Sequence, residues 1–276
     1  MSAVTVSAPV AFDRPRHSAF GWAVRDSMTV TWRNLVGMTR NPQVLVFSTI
    51  QPIVFVLMFR YVFGGAIQIP GVPSSGYVDY LMPGVFAQTV VFGSIATGVA
   101  LAEDMQKGVI ERFKALPMSR AAVLAGRTLA DLVRNVFVVG LMCIIGFFVG
   151  WRVHTNPLSA VAAILLMLFF SHALSWVFAL VGLKATNAEA AQAASFPILA
   201  PLVFASTAFV SADTMPGPLK WFAEHQPVSI VIDAVRGLTY GEPFYEQGRI
   251  IAALLWTVAI IAVCAPLAVR MYRNKV

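Results

Sequence analysis

Tyr80–Ala102 and Ala190–Ala212 each run for 23 residues without a charged side chain. A helix that long covers about 34 Å, enough to cross the roughly 30 Å hydrocarbon core of a bilayer. With hydrophobic residues at 58%, charged residues at 12% and a mean hydropathy of +0.74, the chain cannot furnish the wet surface of a soluble domain. It is expected to be an all-α polytopic membrane protein. Its net charge of +7 is then explained by headgroups and topology, and no nucleic-acid partner is expected. Cys143 and Cys264 lie inside apolar runs and imply neither a disulfide nor a metal site.

Six spans follow from the apolar runs. Residues 1–18, rich in Ser, Ala, Pro and Arg without periodicity, read as a disordered cytoplasmic tail with no signal-peptide core. Residues 19–41 carry a weak stripe (Val24, Met28, Leu35, Met38) flanked by Trp22, Trp32, Arg25, Arg33 and Arg40, as expected of an amphipathic helix lying in the interface; an ordinary cytosolic helix is the alternative. The membrane domain, 44–269, opens with Val44–Phe63, and an exterior loop follows over Gly64–Asp79. The second span is Tyr80–Ala102, with Gly93, Ser94, Thr97 and Gly98 suited to close helix packing. Ala121–Trp151, Pro157–Leu183, Ala190–Ala212 and Ile250–Val269 complete the set, and 270–276 form the C-terminus. Between the last two spans, Asp213–Arg249 is too apolar for a solvated loop and predicts two half-inserted exterior helices, the second opened by Pro227.

On this topology fourteen lysines and arginines fall inside and five outside, so both termini are expected in the cytoplasm and the chain in the cytoplasmic (inner) membrane. Inside as well lies the densest polar stretch between spans, with Glu103, Asp104, Lys107, Glu111, Arg112, Lys114 and Arg120. Read as one helix, it places Met105, Val109, Phe113 and Leu116 on a single apolar stripe until Pro117 stops it. In the third span, Arg127, Asp131 and Arg134 fall on one face, so the aspartate can be shared by two arginines in a structural ion cluster.

Motifs for chemistry are lacking. The sequence holds no P-loop, zinc-protease or nucleophile-elbow pattern, and His17, His154, His172 and His225 are scattered. The chain is not expected to be an enzyme. Gln51, Gln88, Ser171 and His172 are polar points in apolar spans, either a candidate substrate path or interhelical glue.

Glu103-Asp104-Met105-Gln106-Lys107-Gly108-Val109-Ile110-Glu111-Arg112-Phe113, followed by Leu116-Pro117-Met118-Ser119-Arg120 and Gly126-Arg127-Thr128-Leu129-Ala130-Asp131, resembles the inner-loop signature of ABC-2-type permeases, particularly the daunorubicin-resistance type of membrane subunit. His225-Gln226-Pro227-Val228-Ser229 with Ala234-Val235-Arg236-Gly237-Leu238 resembles an exterior block of the same family. The resemblance implies a second permease, identical or related, and two copies of a separate cytoplasmic ATPase that carries ATP and Mg; this chain itself holds no cofactor. It implies that Glu103 to Leu116 is a coupling helix seated in the ATPase, where the bland alternative is a connecting helix on headgroups. It further implies that His225, Gln226, Pro227, Arg236 and Gly237 belong to an exterior gate. The expected function is ATP-driven export of an amphiphilic drug or envelope lipid, Phe-rich spans suiting an apolar cargo that enters from membrane lipid. Alternatives are a permease for a lipid-linked envelope polysaccharide and a proton-coupled secondary transporter, whose only candidate mid-span carboxylate is Asp131.

Overall fold

A computed structural model describes residues 19–40, 42–63, 76–114 and 120–275, which are helices and short connections with no strand among them. In order these are α1 (Ala19–Thr39), α2 (Pro42–Leu57, continued by a π-helical stretch Met58–Phe63), α3 (Tyr77–Gln106), α4 (Val109–Lys114), α5 (Arg120–Val149), α6 (Pro157–Lys184), α7 (Ala188–Phe204), α8 (Gly217–His225), α9 (Pro227–Tyr240) and α10 (Gln247–Lys275). α3, α5, α6 and α10 are long and apolar enough to cross a membrane; α2 and α7 are shorter apolar helices. The tail 1–18 and most of the expected exterior loop lie outside the described residues.

α3 is the axis. Every residue from Tyr77 to Val91 is buried, on all faces of the helix, because α2, α5, α6, α7 and α9 pack around it. A helix that is apolar all round belongs in the interior of such a bundle. α10 is the opposite case, with only 11% of its apolar window buried against 67% for α3.

Lipid tails are as apolar as leucine, so burial alone gives these helices little reason to associate; close backbone packing and interhelical hydrogen bonds must supply it. Two helix backbones approach closely at Gly98 of α3 and Gly182 of α6. A Cβ on Gly98 would overlap the Phe178 carbonyl, and one on Gly182 would overlap the Gly98 carbonyl. α1 uses the same device against α5: Gly126 leaves room for the Ser27 carbonyl and Val30, and Thr31 Oγ1 donates to Gly126 O at 3.1 Å. Its packed face is therefore Ser27, Val30, Thr31 and Asn34, while Val24 and Met28 of the sequence stripe are exposed beside Trp32.

The apolar helices alternate in direction. At one end Phe59 stacks on Phe209 at 4.5 Å, and His154 N donates to Thr239 O at 2.9 Å. At the other, Lys275 Nζ donates to Leu183 O at 2.5 Å, and Arg33 pairs with Asp104 at 3.7 Å.

Three sequence boundaries are corrected. Asp79 is not in a loop but in the first turn of α3, buried, accepting from Arg152 N and contacting His154 Nε2, each at 2.7 Å. The run Ala190–Ala212 is not one helix: α7 ends at Phe204, beyond Pro197 and Pro201, and Ser206, Thr207 and Ala208 pass into a connection bonded to α9. The polar stretch is not one helix either, as the site description below sets out.

Replacing Gly98 by alanine should cost about 1–3 kcal/mol, because backbone rather than a movable side chain blocks the added methyl. Thermal unfolding in detergent reads this as a lowered midpoint, whereas alanine at Gly140, with nothing within 4 Å, should leave the midpoint unchanged.

Candidate functional site

At the end of the bundle that gathers Arg33, Arg127, Lys184 and Lys275, α3 runs on as a helix through Glu103 and Asp104 to Gln106. Lys107 caps it, and Gly108, at φ +66°, turns the chain before α4 begins. That left-handed conformation is costly for any residue with a Cβ. The stripe from Met105 to Leu116 is thus split: Met105 belongs to α3 and Val109 opens α4. Lys107 Nζ meets Glu103 Oε1 at 2.5 Å, a contact that raises the ammonium pKa, and Glu111 is exposed on α4. The side chains of Arg112 and Phe113, and all of Leu116 and Pro117, lie outside the described residues.

One helix depth further in lies a buried ion cluster. Asp131 is fully buried and accepts from Thr97 Oγ1 of α3 at 2.5 Å. The two arginines flank it as their spacing predicts, but loosely: Arg127 Nε stands 3.8 Å away and Arg134 Nη1 3.6 Å. Arg134 spends its other nitrogen on the Gly93 carbonyl of α3. Desolvating each ion costs several kcal/mol, which mutual attraction and these bonds offset. Next to it, Asn135 Nδ2 donates to Ser171 Oγ of α6 at 2.5 Å, and Ser94 Oγ reaches Ser171 O at 3.3 Å. Polar groups from α3, α5 and α6 therefore meet in one place.

Two spaces open beside this cluster. A chamber of about 170 Å³ is lined by Gln51, Pro52, Gln88, Phe92, Arg134 and Asn135, among others. A groove of about 850 Å³ between α1, the C-terminal end of α3 and the N-terminal half of α5 is lined by Trp32, Arg33, Arg40, Asp104, Lys107 and Arg127 among others. Ala96 and Arg134 border both. Of the four polar residues singled out in the spans, Gln51 and Gln88 thus share a chamber. Ser171 touches its wall only through Asn135, and His172 is turned to Trp176, whose indole donates at 3.2 Å.

The exterior block is tied down by its polar side chains. Arg236 is buried; its Nε donates to Tyr80 O at 3.2 Å, its Nη2 to Thr207 O at 2.9 Å, and its Nη1 meets Asp233 at 2.9 Å, with the Tyr80 ring 3.6 Å from the guanidinium carbon. Burial holds the Asp233 carboxyl above its ordinary range despite Arg236 beside it. Gln226 caps α9 through Val228 N and donates to Leu202 O and Ser229 Oγ, each at 3.0 Å. Pro227 takes the first helical position, Gly237 gives room to the Phe244 carbonyl, and His225 stacks on Trp221 at the surface.

Asn135 and Asp79 were missed in the sequence. For Asn135 a signal existed, since Thr128, Asp131 and Asn135 recur at helical spacing on α5 and describe a polar face.

The sequence matches the model of the ABC-2 type transporter family over residues 26–240. It is 35% identical over 254 residues to the daunorubicin resistance ABC transporter permease protein of Streptomyces coeruleorubidus, covering 92% of this chain and 88% of that one. A probable doxorubicin resistance ABC transporter permease protein of Mycobacterium tuberculosis is 26% identical over 91% of this chain and 89% of its own length. A putative transport permease of Cyanophora paradoxa is 24% identical, over 78% and 74%.

Asp131→Ala should destabilise the protein by about 3–5 kcal/mol, since it leaves two arginines without their shared carboxylate. Thr97→Val, which removes one hydrogen bond to that carboxylate, should cost less, about 1–3 kcal/mol. Thermal unfolding in detergent, with membrane abundance as a second readout, gives the order.

Proposed function

Because the chain belongs to the ABC-2 type transporter family, as a multi-pass permease subunit, we propose that it serves an exporter moving an amphiphilic drug or envelope lipid out of the cytoplasm or inner leaflet. ATP, with Mg, is hydrolysed on two copies of a separate ATPase; a second permease copy or a related permease completes the pore. The chain sits in the cytoplasmic membrane with both termini inside.

The observation that carries this reading is the inner corner. α3 is a single rigid helix that emerges with Glu103 and Asp104 on it, turns at Gly108 and delivers α4, a short helix between two long ones. The exposed and half-exposed charges of both signs there, Glu103, Lys107 and Glu111, suit a protein partner better than headgroups. The Arg33–Asp104 pair ties the same corner to α1. A push on α4 reaches α3 directly, and through Asp131, Thr97 and Arg134 it reaches α5 as well. The drug-resistance names of two relatives support an amphiphilic drug as cargo. The exterior helices, held by Gln226 and Arg236, would narrow the outer exit.

Charge reversal at Glu111, alone and with Glu103, is the test. Copurification of the ATPase should fall roughly tenfold, about 1.4 kcal/mol, while membrane abundance stays normal. Unchanged copurification and unchanged ATP-dependent efflux would remove the corner from the coupling role.

A further inference from the structure

The groove between α1, the C-terminal end of α3 and the N-terminal half of α5 carries more positive charge than the described residues neutralise. Arg33, Arg40, Lys107, Arg127 and Arg134 line it, against two carboxylates, Glu103 and Asp104. Lys107 is matched by Glu103 at 2.5 Å. Asp104 is shared, drawn to Arg33 at 3.7 Å and also to Arg127. Asp131, fully buried behind the wall, is likewise shared between Arg127 and Arg134. Two carboxylates thus serve four arginines, an excess of two positive charges, and among the described residues no carboxylate pairs with the exposed Arg40. The lining is also apolar: Trp32, Val36 and Met38 share it. Trp32 ends an exposed stripe on α1, Val24, Met28 and Trp32, spaced one helical turn apart. In a membrane protein such a stripe is covered by acyl chains, with the indole at headgroup depth. At about 850 Å³ the groove falls in the roughly 300–1,000 Å³ range of ligand sites and has room for a headgroup.

We propose that this groove holds the headgroup of one anionic phospholipid, its phosphate drawing together Arg33 and Arg40 of α1 and Arg127 of α5, and its chains lying along Trp32 and Met28. A soluble anion would use the arginines and leave the stripe bare, whereas a phospholipid covers both. Arg33 and Arg40 are seven residues apart and so share a face of α1, about 10 Å from each other along its axis. The guanidinium fork suits phosphate oxygens. The lipid stays with the chain and fastens α1 to α5, whatever the protein moves.

The full chain, purified in detergent and washed free of lipid, tests this by native mass spectrometry after incubation with equal amounts of dioleoylphosphatidylglycerol and dioleoylphosphatidylcholine, whose chains are identical. One phosphatidylglycerol per chain should stay bound in preference to phosphatidylcholine and should raise the unfolding midpoint. Arg40→Gln should weaken retention roughly fivefold and remove most of that gain, while the lipid-free midpoint stays unchanged because the residue is exposed. Arg40→Lys, which keeps the charge, should retain the lipid. Arg270→Gln, the same loss of charge at an exposed position of α10 that does not line the groove, should leave retention unaltered. Inorganic phosphate in excess, at constant ionic strength, should not displace the lipid. Equal retention of the two lipids would show an unselective annulus. Equal effects of Arg40→Gln and Arg270→Gln would show general surface charge, and displacement by phosphate a site for a soluble anion. Each of these results would overturn the proposal.

Discussion

Contact of backbone with backbone at Gly98 and Gly182 sets the spacing of α3 and α6, and the remaining helices are arranged around that pair. In a bilayer no hydrophobic penalty drives two apolar helices together, so what fixes their distance is how closely main chains can approach and which polar groups then come within bonding range. Ser94 of α3 to the Ser171 carbonyl of α6, and Asn135 of α5 to the Ser171 hydroxyl, are bonds of that second kind, and Ser94 lies one turn from Gly98. A bulkier residue at the crossing would hold these groups apart and leave them unpaired in a medium that cannot hydrate them.

Two buried arginines solve the same problem at the two halves of α3. Arg134, from α5, donates to the Gly93 carbonyl; Arg236, from α9, donates to the Tyr80 carbonyl. Each also faces one carboxylate, Asp131 or Asp233. The guanidinium fork suits this use, since one nitrogen can hold a backbone oxygen while another balances charge. Arg134 keeps its aspartate at 3.6 Å, whereas Arg236 is in direct contact with its own at 2.9 Å and stacked on Tyr80. The Arg134 cluster is accordingly the looser of the two.

Much of the fold was legible because its signals are periodic or local. The limits of α5 and α6, the Pro227 start of α9 and the placing of Arg127, Asp131 and Arg134 on one face were all read from spacing. The errors came where tertiary contacts overrule local pattern. Asp79 looked like a loop residue because it follows Pro70, Pro73 and Ser74-Ser75-Gly76 and precedes the uncharged run, yet Arg152 N and His154 bond it in the first turn of α3, where a carboxylate is favoured. Uncharged residues past Phe204 looked like continued helix, yet Thr207 bonds Ser229 and Asp233 of α9 instead. The polar stretch kept a helical apolar stripe through Gly108, and glycine tolerates both a helix and a positive φ, so nothing local announced the break. The chamber was half visible: Gln51 and Gln88 stood out as polar, while their convergence on Arg134 and Asn135 depends on how α2 and α5 lean on α3.

The uninterrupted length of α3 has a thermodynamic consequence. Thirty residues of one helix place Gln106 and Tyr80 about 39 Å apart on the same rod, with Arg236 gripping one end and the Gly108 turn leaving the other. Where such a rod moves as a body, the two ends share a single degree of freedom, and linkage is then reciprocal: whatever factor a ligand at one end imposes on the other, a ligand at the second end imposes on the first. A molecule that clamps the Arg236 end of the rod would by that symmetry be an effector of anything held at the α4 end, about 39 Å away.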